Sequence, residues 1–197
     1  MIKQSLIVAS LLFTGTSAVA QNDFFIGANL GTIKSGATLS GTATYDGNNI
    51  SGSASDSDRD TNINIKAGIV NNNNRYSVQT GKLYDEGEVS YTSTTLNYDR
   101  LFTETSGFTP FVGVHIGKGK FEVYGWETTS TDYGIQAGVL KDLNKNFQFE
   151  AGLRYTKSNA SFYVNEAGTD NGKAYNINAT LEADDATAMY IGVNYKF

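Results

Sequence analysis

Five side chains carry the chemistry this 197-residue sequence could do: Lys66, Asp99, His115, Glu150 and Arg154. Each occupies the polar phase of a stretch whose alternate positions are largely apolar, and Gln79, Gln136, Asn97 and Asn194 share that phase. Opposite charges in such surroundings must be paired or hydrated. The group therefore reads either as a satisfied ionic plug or as a polar path for ions or protons, with Lys66, Asp99 and Glu150 at similar depth, Arg154 above them and His115 near the upper side. His115 is the single histidine. A hydroxyl nucleophile needs an adjacent base, and one histidine without a recognisable serine partner assembles no hydrolytic triad.

Metal and cofactor chemistry find less support. The chain has no cysteine, which excludes thiolate ligands, a cysteine nucleophile, disulfides and a lipid anchor on an N-terminal cysteine. Asp56, Asp58 and Asp60 form a DxDxD run, but Thr61 and Ala67 stand where an EF-hand loop needs its glycine and its glutamate. The run reads as a solvated acidic loop tip. The sequons at 159–161 and 178–180 read as incidental. No catalytic residue, metal site or cofactor is expected.

The elements that must position the five residues are strands. Two-residue alternation is the mark of a strand with one apolar face, and it recurs over 24–31, 62–70, 75–84, 93–102, 108–117, 133–140, 147–155 and 189–197. In the first stretch Phe24, Ile26, Ala28 and Leu30 oppose Phe25, Gly27, Asn29 and Gly31. In the last, Met189, Ile191, Val193, Tyr195 and Phe197 oppose Tyr190, Gly192, Asn194 and Lys196. Glycines of the polar phase, such as Gly27, Gly113, Gly138 and Gly192, leave room for large neighbours inside a narrow lumen.

Connection lengths sort in a pattern of their own. Segments 71–74, 103–107 and 141–145 are short and rich in turn formers; 32–61, 85–92, 118–132 and 156–188 are long, and the two kinds alternate. Short turns at one end and long loops at the other are expected of an eight-stranded antiparallel transmembrane β-barrel, an up-and-down meander with both termini at the short-turn end. Ten residues at about 3.3 Å each, tilted by about 40°, rise roughly 25 Å, the height of such a barrel's apolar band. Phe24, Tyr76, Tyr98, Phe102, Phe108, Phe147, Tyr195 and Phe197 fall near the short turns or termini, where an aromatic girdle belongs. Phe162 and Val164, then Tyr175, Ile177, Ala179 and Leu181, alternate again, so 156–188 is expected to extend the last strand pair as a hairpin with 169–172 at its tip.

Residues 1–20 read as a secretory signal peptide: Lys3 supplies a positive start, 6–13 an apolar run, and Ala18-Val19-Ala20 a small-residue cleavage site. Residues 21–197 then form one domain, the barrel. The formal net charge of −5 argues against nucleic acid as a partner.

Taken with the signal peptide, FFIGANLG (24–31), TPFVGVHIG (109–117), FQFEAGLRY (147–155) and YIGVNYKF (190–197), the chain resembles small outer-membrane β-barrels of the OmpA-like transmembrane-domain, porin-like type. The resemblance implies residence in the outer membrane of a Gram-negative bacterium, with both termini periplasmic. It implies contact with outer-membrane lipid and lipopolysaccharide, and handling by the barrel assembly machinery. Met189, Ile191, Val193, Tyr195 and Phe197 would then form the strand that machinery recognises. A monomer is expected. No peptidoglycan-binding domain is expected after the last strand. In lipid A deacylase barrels a serine lies two residues beyond the histidine, and here that position is Gly117. A non-enzymatic structural or porin-like role is thus the first expectation. The alternative is a surface adhesin or ligand-binding barrel acting through loops 32–61 and 156–188, and third comes a barrel enzyme acting on lipid A.

Overall fold

The computed structural model describes residues 22–86, 89–123, 126–170 and 172–197; the signal-peptide expectation for 1–20 lies outside these. Ten antiparallel strands follow one another: β1 (Asn22–Tyr45), β2 (Asn48–Asn71), β3 (Asn74–Glu86), β4 (Val89–Leu101), β5 (Thr109–Val123), β6 (Trp126–Asp142), β7 (Phe147–Ser158), β8 (Ser161–Asp170), β9 (Lys173–Ala183) and β10 (Ala186–Lys196). β1 to β7 pair in order, β7 pairs with β10, and β10 returns to β1, closing a ring of eight. The closing seam runs from Phe25↔Lys196 to Lys34↔Thr187. Closure satisfies the backbone groups that an open edge would leave bare in lipid.

The phase of each strand follows its alternation. Ile63, Ile65, Leu96, Val112, Val114, Ile116, Ile135, Leu153, Met189, Ile191 and Val193 point outward and are exposed, while Asn29, Lys66, Asn97, Asp99, Gln136, Glu150 and Asn194 are buried inside. An apolar exterior around a polar interior is the inversion that a lipid solvent imposes. Tyr76 packs against Tyr98, and Tyr195 against both Phe147 and Phe197, with ring centroids 5.2–5.3 Å apart at the short-turn end.

The glycines of the interior are required by close approach. A Cβ on Gly113 would overlap the Asp99 carboxylate and the Tyr98 carbonyl, and one on Gly138 would lie 2.7 Å from the Phe111 ring.

The long connections differ from the expectation of loops. Residues 32–61 continue β1 and β2 without interruption to a two-residue turn at Asp46 and Gly47, whose φ values of 51° and 79° suit a tight hairpin. Segments 85–92 and 118–132 are likewise mostly strand. These extensions carry no sustained apolar alternation, being rich in Ser, Thr, Gly and Asp, and cross-strand pairing makes them strands. In 156–188 the expected hairpin is present as β8 and β9. β9 pairs with the upper part of β1, from Ala37↔Ala183 to Tyr45↔Tyr175.

Candidate functional site: the lumen

Glu150, 1% exposed, is the hub of the interior. Its Oε2 accepts from Lys66 Nζ at 2.5 Å, Arg75 Nη1 at 2.8 Å and Asn194 Nδ2 at 3.0 Å. Its Oε1 accepts from Tyr190 Oη at 3.1 Å and Arg75 Nη2 at 3.3 Å. Arg75 also donates from Nε to Asp99 Oδ2 at 2.9 Å, and Asp99 Oδ1 accepts from Gln136 Nε2 at 2.6 Å. The guanidinium lies 4.6 Å from the centroid of the Phe111 ring and 5.9 Å from that of Phe25. A delocalised, weakly hydrated cation suits aromatic faces where an ammonium would not.

Arg154 stands a layer away and forms no ion pair among the described residues. It donates to Asn97 Oδ1 at 3.1 Å, Gln136 Oε1 at 3.2 Å and Thr95 Oγ1 at 2.9 Å, so Gln136 links it to Asp99. Lys66, Asp99, Glu150 and Arg154 thus share one hydrogen-bonded chain. His115 is outside it: its Nε2 lies 3.1 Å from Thr156 Oγ1, and its buried Nδ1 has no hydrogen-bond partner among the described residues. Among the described residues no carboxylate hydrogen-bonds to this imidazole.

Sequence reading missed Arg75 and Asp132. Arg75 opens the stretch 75–84 in the same phase as Gln79, so its orientation was legible. Its proximity to the turn concealed its reach, which a long side chain extends well into the lumen. Asp132 precedes the stretch 133–140 in phase with Gln136, at the end of the connection 118–132 that the sequence leads one to expect as a loop. It is fully buried and accepts from Tyr91 Oη at 2.5 Å, Ser93 Oγ at 2.6 Å and Ser130 Oγ at 2.9 Å. Tyr91 lies above the apolar band. Burial, and then the bond to Asp132, push its phenol above the usual tyrosine range.

The side chains at the ion-cluster level fill the lumen. Arg75, Asp99, Glu150, Asn194 and Phe111 are each at most 2% exposed, and Leu101 and Leu140 pack with Phe111 just beside them. A ring of eight strands is just wide enough for such filling.

The closed ring, its apolar exterior and its charged, packed interior define the class by fold: a small eight-stranded antiparallel β-barrel of the transmembrane type. No protein-family model matches the chain, and neither does any curated protein. Solved structures do. The crystal structure of Neisserial surface protein A aligns with a TM-score of 0.54 at 18% identity, over 88% of this chain and 97% of that one. The solution structure of outer membrane protein H from P. aeruginosa aligns with a TM-score of 0.54 at 23% identity, over 89% and 99%. At these identities the likeness is one of fold.

Proposed function

We propose that the chain is a non-enzymatic structural barrel of the bacterial outer membrane, closed to solutes, with its short turns in the periplasm and its long hairpins outside the cell. The observation that carries this reading is the ion cluster around Glu150. Lys66 and Arg75 are matched by Glu150 and Asp99, and all four side chains are buried. A conducting lumen would instead keep its charged side chains hydrated.

Outward-facing cations support the orientation. Lys34, Arg59, Lys82, Lys118 and Lys157 are exposed above the apolar band, where the phosphates of lipopolysaccharide would meet them. Phosphate recognition by this collar, and recognition of β10 by the assembly machinery, belong to the same proposal.

Planar-bilayer recording of the purified barrel tests it. Silence across the voltage range is expected, and stable stepwise conductance would refute a closed barrel. A second reading, surface attachment, has the hairpin of β8 and β9 in its favour. Tyr163 and Val164 there are 63% and 43% exposed, and β8 pairs with β9 alone. Loss of cell attachment on removing that hairpin, with the envelope intact, would establish this second role.

A further inference from the structure

Above the ion cluster the lumen widens into a cavity of about 280 Å³, with Ile33 and Ala37 of β1, Phe121 of β5, Phe162 of β8, and Leu181 and Ala183 of β9 in its apolar wall. Cross-strand register brings the β1, β8 and β9 side chains together. Ala37 pairs with Ala183, Leu39 with Leu181 and Leu181 with Phe162; two positions further out, Gly41, Ala179 and Val164 form the next row. Directly paired residues share a face of the sheet, and their neighbours along each strand take the other. The outer face of the same strands is accordingly polar, with Thr38 and Ser40 on β1 and Thr180 and Glu182 on β9.

The floor and the flank of this cavity are closed. Among the polar groups that line it, Tyr91 Oη donates to Asp132 at 2.5 Å, Thr156 Oγ1 lies 3.1 Å from His115 Nε2, and Ser158 Oγ accepts from the Ala160 N–H at 3.3 Å. Each already has a partner. On the flank where β6 and β8 do not pair, Asn159 bridges to Thr131: its N–H donates to the Thr131 carbonyl at 3.3 Å, and its Oδ1 accepts from the Thr131 N–H at 2.6 Å. The carboxylates stay in water, since Asp56 and Asp58 are exposed on β2 and Asp184 accepts from Thr38 on the outer face. Leu39 and Val164, further out on the lining face, are 49% and 43% exposed, so the way in is from outside the cell, along the barrel axis.

We propose that this blind cavity binds one uncharged apolar molecule of the size of a fused two-ring hydrocarbon, taken up from the outer side of the membrane. An apolar cavity of about 150 Å³ holds benzene, and by that scale 280 Å³ accommodates about eleven non-hydrogen atoms. Burial against Ile33, Phe121 and Leu181 supplies the affinity. A charged group would lose its water here, where the polar groups of the floor are already bonded to one another, so ionic analogues of either sign are selected against. Binding is thus added to a closed barrel, because the filled lumen beneath stops the ligand from passing.

The test uses the refolded barrel in lipid nanodiscs, titrated with naphthalene, a naphthalenesulfonate and a naphthylmethylammonium ion and followed by NMR. Empty nanodiscs serve as the partition blank, and ligands are compared at equal mole fraction in the lipid. Intermolecular NOEs from naphthalene to Ile33, Phe121 and Leu181 are expected, saturating at one molecule per barrel. Both ionic analogues should bind at least about tenfold more weakly. Ala37→Phe, which fills the cavity, should abolish those NOEs while the gel shift between unboiled and boiled samples persists. Phe162→Ala, which enlarges it, should admit phenanthrene, which the native cavity should take about tenfold less well than naphthalene. The two variants separate occupancy of the cavity from damage to the fold. NOEs confined to the lipid-facing Ile65 and Leu96, an ammonium analogue bound as tightly as naphthalene, or binding unchanged by both variants would each overturn the proposal.

Discussion

Arg75 and Glu150 lie on β3 and β7, opposite one another in the ring of eight, and their side chains still meet at 2.8 and 3.3 Å. A bidentate guanidinium–carboxylate contact across the full lumen ties together walls that no backbone hydrogen bond connects. Arg75 has the reach and planar geometry for it.

That contact sets the cost of losing Glu150. Glu150→Ala leaves Lys66 and Arg75 buried with two positive charges and one remaining carboxylate, so a loss of about 3–5 kcal/mol is expected. Urea unfolding of the barrel in lipid vesicles measures it. A loss below about 1 kcal/mol would mean that water reaches the cluster and screens it.

Gly113→Val tests how tightly the interior is filled. The added side chain would collide with Asp99 and the Tyr98 carbonyl, and overpacking costs about 1–3 kcal/mol. The same substitution at Gly52, an exposed position in the outer part of β2 where a Cβ meets nothing within 4 Å, should change stability by less than about 0.5 kcal/mol. The same unfolding assay compares the two.

The two ends of the last hairpin should behave oppositely. Replacing 161–183 by a short turn removes β8 and β9 but leaves the seam of β10 with β1, so the barrel should keep its gel shift between unboiled and boiled samples. Truncation at Asp185 removes β10 and opens β1 and β7 together, so no shifted species should form. Equal outcomes for the two variants in that gel would contradict the ring as described.

Tyr91 predicts a pH dependence. Its phenol is held above the free tyrosine value of 10.0, so the neutral form is favoured in the folded state. Its stabilising contribution is complete below pH 10 and declines as pH rises beyond it, because the unfolded chain ionises first. Ultraviolet titration of the folded barrel should show a late-ionising tyrosine that Tyr91→Phe removes. An unchanged difference spectrum would count against the bond to Asp132.

The sequence by itself determined the strands that cross the membrane and the direction of every side chain on them. Lipid outside and packed polar groups inside act on alternate residues, and a slip of one residue would exchange the two faces. Lys66, Asp99, Glu150 and Arg154 could therefore be placed in the lumen from phase alone. Tertiary structure decided which of them meet. Arg75 and Glu150 are 75 positions apart, and nothing local to either residue encodes the width of the ring or the reach that joins them. It also decided the fate of the long connections. Above the apolar band no sustained apolar alternation marks β1 and β2, so they are extended there by pairing with each other, and β9 by pairing with β1.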